Sequence, residues 1–593
     1  MSGLTGFYRP SGGYDKQPEQ SAAVLADMCA ALKKRGGANQ SARILPHACI
    51  AQTAKGAETV LRVPHEGASA CIALDGELYH SCGVGADAAD YVLRLILREG
   101  IDAIDCLNGA FAGAAYVESE QRLYLFRDHL GVKPLFFARF DGGVLFGSEI
   151  KAILRYPGFT ARVSREGLCE VLGLGPARRE LSGVFEDVYS VLPGHYAVFD
   201  ADGFHQVKYW GLDSFPSAES FDEAARTTAG LLQDAVARRG GGRKCAFMSG
   251  GLDSGLVTAL LATNQTAPVD TFSFDFVDSD KHFQANDFQS QRDRPYVEQM
   301  VRLLGTRHSF LECDSDELAD ALEDAMRARD LPGMADIDAS LLVFARRVAE
   351  DFDVALTGEC ADEIFNGYPW FHKADLMETN GFPWSNDYEM RTAFLRAEVK
   401  DTLDVEGFAR GAYAASVASV PTLFGEDAAR AKERELSFLT QKWIMPTLVD
   451  RTDRMCAAAG LGARVPFADK RLVEYAWNLP AAIKNRGGVK GLLRAGFAGL
   501  LPEELLWRKK NPYPKTYNPH FEKLLAARLL DVLSDPNAPI RALADVDRVR
   551  AFIAGEKDYG RPWYGQLMAG PQLLGYWLQM NAWLKAYRIE IKI

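Results

Sequence analysis

The stretch Phe247-Met248-Ser249-Gly250-Gly251-Leu252-Asp253-Ser254 constrains this chain more than any other. It reads as a buried apolar strand running into a Ser-Gly-Gly-x-Asp-Ser turn, then a helix beginning near Gly255 with Leu256-Val257-Thr258-Ala259-Leu260-Leu261. Glycines let a backbone approach a phosphate closely, and a helix N-terminus behind them offers unpaired N–H groups and a positive dipole end. Ser249 and Ser254 add hydroxyl donors, and Asp253 is placed to hold Mg²⁺ on the same phosphates. No Gly-Lys-Ser/Thr follows the glycines, so the segment is not a Walker A loop. An ordinary glycine turn after a strand accounts for less, because six matching positions rarely coincide in a strand–turn–helix setting.

At 593 residues the chain is too long for one core and predicts two to four units. A net charge of −12 and a pI near 5.5 argue against nucleic-acid or anionic-membrane partners. Ten cysteines without a C-x-x-C pair or zinc spacing read as reduced thiols of a cytoplasmic protein. No apolar run reaches the roughly 20 residues of a membrane span. Up to about residue 210 short strands alternate with turns, among them Ala70–Leu74, Leu123–Phe126, Leu135–Ala138 and Val144–Phe146, with helices expected over Ser21–Lys34 and Ala88–Glu99. Around Asp213-Ser214-Phe215-Pro216-Ser217 comes a polar link. Beyond it, strands such as Val269–Phe276 and Val354–Leu356 neighbour helical stretches such as Arg294–Leu304 and Ala339–Ala349, the pattern of a helix-covered parallel sheet. From about residue 380 the chain reads as mainly helical. The expected domains are 1–212 and 213–593.

A second segment, Thr357-Gly358-Glu359-Cys360-Ala361-Asp362-Glu363, follows the apolar Ala355-Leu356 and places three carboxylates within five residues of a glycine turn. Two carboxylates beside a triphosphate can hold magnesium and a third can take a proton from an incoming amine. A charged helix start, favoured by the dipole, is the structural alternative. With the first loop, this segment resembles the glutamine-dependent asparagine synthetase family, and the similarity covers nearly the full chain. The resemblance implies an α+β N-terminal-nucleophile-type sandwich domain followed by an α/β parallel-sheet ATP-pyrophosphatase domain with a helical C-terminal part. It implies ATP contacts from Ser249, Gly250, Gly251, Leu252, Asp253, Ser254, Thr357 and Gly358, magnesium on Asp253 and Asp362, and Glu359 beside the acyl-adenylate as proton acceptor. Arg464-Val465-Pro466-Phe467-Ala468-Asp469-Lys470 resembles a family stretch whose lysine neutralises phosphate charge, which gives that catalytic role to Lys470. Asp453 and Arg454 resemble a patch lining the synthetase pocket, and Trp507-Arg508-Lys509-Lys510 a basic loop near the nucleotide. The activity implied is AMP-forming carbon–nitrogen ligation with ATP and Mg²⁺, in which a small-molecule carboxylate, aspartate foremost, is adenylated and passed to ammonia or an amine.

The front half resembles the family's glutaminase domain in Leu107–Phe111, Arg127–Leu135, Phe146–Lys151 and Leu192–His195, but its chemical residues are degenerate. The nucleophilic cysteine position is Ser2, whose hydroxyl needs stronger activation than a thiol. The family's His-Arg-Gly-Pro-Asp is reduced to Lys34–Ala38, its carboxylate clamp is absent near Cys49–Gln52, and the Asn of its Asn-Gly-Glu is Asp75, an anion expected to repel an oxyanion. The segment after Tyr79 is shortened and the Ser-Asp-Thr-Glu pattern is blurred to Ala86–Asp90. An inactive glutaminase scaffold is therefore expected. It leaves open a specialised lactam- or lasso-peptide-forming relative that uses a substrate amine, with a peptide as partner. A non-catalytic regulatory homologue is disfavoured by the survival of Asp253, Glu359, Asp362 and Lys470. Asp336 and Asp338 depart from the family pattern and suit a cationic substrate, a metal or a helix cap. A homodimer is compatible with the chain.

Overall fold

The computed structural model describes residues 1–56, 59–79, 87–285, 289, 291–385, 387–555, 562–565 and 567–593. The shortened segment after Tyr79 and the first residue of the Ala86–Asp90 pattern lie outside the described residues. In the first 208 residues two six-stranded antiparallel sheets face each other. One is built around Ser2–Tyr8, flanked by Ala48–Ala54 and Gly143–Gly147. The other sets His195–Asp200, Arg122–Arg127, Gly109–Val117 and Ala68–Leu78 side by side. Arg122–Arg127 shows why these strands read as nearly continuous apolar runs. Leu123 and Leu125 join Leu4, Ile50 and Phe146 between the sheets, while Tyr124 and Phe126 pack with Val92 and Ile96 of the outer helix Ala88–Glu99. Both faces are covered, so polar alternation disappears. That helix begins where the Asp87 carboxylate accepts the Ala89 N–H and ends at Gly100, at φ 85°. The helix expected over Ser21–Lys34 runs instead over Pro18–Ala31 and breaks at Leu32 into the short turn Lys33–Gly36.

Past the polar link the architecture changes. Five parallel strands lie in the order Arg307–Cys313, Asp270–Phe276, Lys244–Phe247, Val354–Leu356, Gly462–Arg464. Helices including Leu252–Thr263, Arg294–Leu304, Asp336–Val348 and Met445–Ala459 surround it. The strand order reverses at Lys244–Phe247, so the loops leaving that strand and Val354–Leu356 open side by side at the carboxyl edge, where open α/β sheets place their ligands. The remainder is helical, and Glu590–Lys592 returns to pair in parallel with Arg162–Ser164 of the front half. No helix among the described residues is long and apolar enough to cross a membrane.

The two halves meet across buried charges. Arg35, 1% exposed, donates to Asp75 through Nε at 3.1 Å and Nη2 at 2.7 Å, and to Asp453 through Nη1 at 2.7 Å. Lys133 reaches the other Asp453 oxygen at 2.7 Å. Arg454 lies 3.2 Å from both Glu149 and Asp450. Burial opposes the ionised form of Asp453, but Arg35 and Lys133 outweigh it and hold this carboxyl well below the usual carboxylate range. A depressed folded-state value contributes stability above the ordinary aspartate range, and that contribution fades as pH falls below about 4. Asp453→Asn should therefore cost about 3–5 kcal/mol at pH 7 in urea unfolding, and the difference from the native chain should shrink as the pH is lowered.

Candidate active site

Met248 leaves the central strand by donating to the Phe272 carbonyl at 2.9 Å, and the chain then turns through Ser249, Gly250 and Gly251. Gly250 sits at φ 71°, and a Cβ there would lie 2.9 Å from the Val297 nitrogen, so a side chain is excluded by conformation and by space. The helix Leu252–Thr263 follows with no side-chain cap on its first turn. Ser249 Oγ lies 3.0 Å from Ser254 Oγ, which also accepts the Ser249 N–H at 3.1 Å. Hydroxyls, backbone N–H groups and a positive helix end thus border one concavity, an arrangement suited to phosphate.

The second loop is pressed against the first. Thr357 donates to the Arg464 carbonyl at 3.0 Å, and a Cβ on Gly358 would stand 2.6 Å from the Ser254 nitrogen. Cys360 takes φ 74° and starts the short helix Ala361–Ile364, which carries Asp362 and Glu363. Lys490, itself at φ 57°, places Nζ 2.7 Å from both Asp253 carboxylate oxygens and 2.6 Å from Asp362 Oδ1. Lys510 Nζ lies 2.6 Å from the other Asp362 oxygen and 3.9 Å from the Tyr368 ring centre. Burial disfavours the Asp362 carboxylate, yet the two lysines more than offset this and hold it well below the usual range. Burial raises Glu359 despite Arg451, whose Nη1 is 3.5 Å away. Burial, reinforced by Asp362, lifts Glu363 to about 7, and the Tyr368 hydroxyl donates to it at 2.6 Å.

Ser249, Gly251, Leu252, Asp253, Ser254, Thr357, Gly358, Glu359 and Asp362 line one cavity of about 320 Å³, with Gly250 inside the loop that forms its floor. Arg508, Lys509 and Lys510 line it too, as expected of the basic loop. Lys470 does not. Its Nζ donates to the Asp105 carbonyl and lies 3.2 Å from His129 Nε2, at the boundary between the halves. The motif around it leaves the outermost strand of the sheet and carries its lysine away from the glycine loops. The lysine that bridges the two loops is Lys490, whose sequence signal was the glycine-rich turn Arg486-Gly487-Gly488-Val489-Lys490-Gly491. Arg451 was also missed. Asp453 and Arg454 belong to the charge cluster between the halves, while their neighbours Arg451 and Thr452 face the cavity.

Two further expectations are corrected. Asp336 and Asp338 are not open to a cationic ligand. Asp338 is fully buried, 3.2 Å from Arg329 and 3.4 Å from Arg451, and Asp336 accepts from Gln572 at 3.1 Å, with burial raising its carboxyl to about 6. In the front half, Ser2 Oγ lies 3.2 Å from both the Leu74 carbonyl and Asp75 Oδ1. Asp75 does not confront an oxyanion as a bare charge, because Arg35 takes its other oxygen. Glu77 pairs in bidentate fashion with Arg464 at 2.7 and 2.9 Å.

Residues 227–585 match the family model of asparagine synthase, and residues 1–210 match that of the glutamine amidotransferase domain. Asparagine synthetase (glutamine-hydrolyzing) 3 of Bacillus subtilis is 37% identical to this chain over the full length of both. The asparagine synthetase (glutamine-hydrolyzing) of Gallus gallus is 26% identical over 72% of this chain and 66% of its own. Amidase chyE of Penicillium rubens is 25% identical over 72% of this chain and 69% of its own. An amidotransferase-type front half joined to a ligase-type parallel-sheet half, with a cavity at the carboxyl edge of its sheet, is what fold and matches define together. The chain belongs to the asparagine synthase family. Lys490→Met should reduce ATP-dependent AMP release by roughly 10²-fold or more, the scale of losing one preorganised charge at a reacting phosphate. Lys470→Met should leave it within a few-fold of the native rate, and the two variants assayed side by side decide between the lysines.

Proposed function

We propose that this protein makes asparagine from aspartate, ATP and free ammonia, releasing AMP and pyrophosphate. The observation that carries the reading is the convergence of Lys490 and Lys510 on Asp253 and Asp362 at the mouth of the glycine loop, with Glu359 in the same cavity. The β-carboxylate of aspartate attacks the α-phosphorus, a P–O bond forms, and the bond to pyrophosphate breaks. Ammonia then attacks the acyl carbon, AMP leaves with its bonding electrons, and the proton lost from nitrogen passes to Glu359. The lysines supply positive charge where pyrophosphate gains negative charge, and the loops hold the reactants in line.

Asp253 and Asp362 are the residues that would hold Mg²⁺, an ion that takes one or two carboxylates together with phosphate oxygens and water. Two neighbouring aspartates whose present counterion is a lysine fit that need, and the ion would supply Lewis-acid polarisation of the phosphates. Arg451, between Asp338 and Glu359, is placed to take the α-carboxylate of the amino acid.

Free ammonia as nitrogen source is supported by the surroundings of Ser2. The hydroxyl is 3% exposed and faces a carbonyl and a carboxylate already paired with Arg35. A hydroxyl at this position also needs stronger activation than the thiol it replaces. With aspartate, Mg²⁺ and ATP, ammonium should support asparagine formation and AMP release, and glutamine should not. AMP release driven by glutamine would overturn the ammonia assignment, and none with aspartate under either condition would overturn the substrate. Glu359→Gln should keep aspartate-dependent ATP–pyrophosphate exchange while asparagine formation falls by about 10²-fold or more, the usual share of a general base.

A further inference from the structure

A second cavity, of about 80 Å³, lies between the interdomain link at Phe215–Ser217 and the helices Ala428–Leu439 and Ala481–Lys484. It shares no lining residue with the ATP cavity but reaches Asn366, four positions beyond Asp362 on the same loop. Two buried polar side chains line it without partners. The Lys484 side chain, in a residue 2% exposed, takes part in no hydrogen bond or ion pair among the described residues, and neither polar atom of the buried Asn366 side chain, in a residue 1% exposed, has a hydrogen-bond partner among them. The neighbouring Arg434 is engaged elsewhere. It grips Glu426 through Nε and Nη2 at 2.8–3.1 Å, and Glu433 is the acidic neighbour of Lys484. Arg430 sits on the exposed rim. Burial pulls the Lys484 ammonium down to about 8, with Glu433 working against this and Arg434 adding to it. A buried ammonium beside a buried amide with free donor and acceptor atoms is a costly arrangement that an anion would complete.

We propose that this cavity is a binding site for a small carboxylate, whose oxygens take the Lys484 ammonium and the Asn366 amide N–H. Its volume admits a group of acetate size and excludes a nucleotide. The site is coupled to the ATP cavity through a tight loop. The Asn366 carbonyl is 2.6 Å from His372 Nε2, Gly367 donates to the Asp362 carbonyl at 2.9 Å, and a Cβ on Gly367 would lie 1.9 Å from Asp362 Oδ1. A ligand that fixes Asn366 therefore fixes the backbone presenting Asp362 to Lys490. On the opposite wall it touches the link, where Phe215 donates to Asn478 Oδ1 at 2.7 Å.

The test is a titration of the full chain with ¹³C-labelled acetate, followed by NMR relaxation, with ionic strength balanced by gluconate, which is too large for the cavity. The native chain should show a saturable component, and Lys484→Met and Asn366→Gly should each weaken it at least tenfold. Asn366 lies at φ 55°, a conformation glycine adopts freely, so the second variant retains the loop geometry even where loss of the lysine disturbs packing. Saturable binding unchanged in either variant, or none in the native chain, would overturn the proposal. Binding is read directly, so the result does not depend on which carboxylate the ATP cavity adenylates.

Discussion

Lys490 ties together parts of the chain that the sheet alone would leave adjacent but independent. Its ammonium sits between Asp253, on the first turn after the glycine loop, and Asp362, on the loop after the neighbouring strand. Two carboxylates this close repel each other in a buried setting, and one shared cation makes the pair tolerable. Their positions are further fixed by absent side chains, since Gly358 lies against Ser254, and Gly367 against Asp362 and Lys490. On the proposed function, the phosphate cradle is thus formed before a nucleotide arrives. An incoming polyphosphate would then exchange one set of anions around Lys490 and Lys510 for another, which would limit the reorganisation that binding requires.

The same logic extends towards the front half. From Glu359 a run of alternating charges passes through Arg451, Asp338, Arg329, Asp450 and Arg454 to Glu149, and Arg35 and Lys133 close the far end on Asp453. Arg451, Asp450, Asp453 and Arg454 all lie on the helix Met445–Ala459, which faces the cavity on one side and the front half on the other. Arg451 is thus linked, pair by pair, to charges supplied by the front half.

Local and tertiary information separate cleanly in this chain. The strand–glycine–helix loops were legible because each is written in consecutive residues whose conformational needs are strong. The helix Ala88–Glu99 was legible for the same reason, with its Asp cap and glycine stop. Lys490 was not, because it meets Asp253 across 237 positions and nothing near either residue names the other. Lys470 misled because a motif fixes a local turn without fixing which way the turn faces; at the outermost strand it faces the front half. Asp453 and Arg454 read as site residues because their stretch resembles a family patch, and which face of a helix meets a cavity is a tertiary fact: here Arg451 and Thr452 meet it instead. Asp75 looked like a catalytic defect on its own. Beside Arg35 it is half of an ion pair.

That pair bears on what the front half contributes besides its own chemistry. On the proposed reading, in which glutamine is not hydrolysed, the front half still contributes contacts to the rest of the chain. Removing it would strip Arg35 and Lys133 from Asp453 and Glu149 from Arg454, and would expose the strand pairing that anchors Glu590–Lys592. Stranded buried charges cost several kcal/mol each, a large part of an ordinary domain's margin of stability. The front half is therefore required as the electrostatic complement of the helix that positions Arg451, whatever its own chemistry. Asp75 serves this role directly, since its carboxylate helps hold Arg35 in place between the two halves.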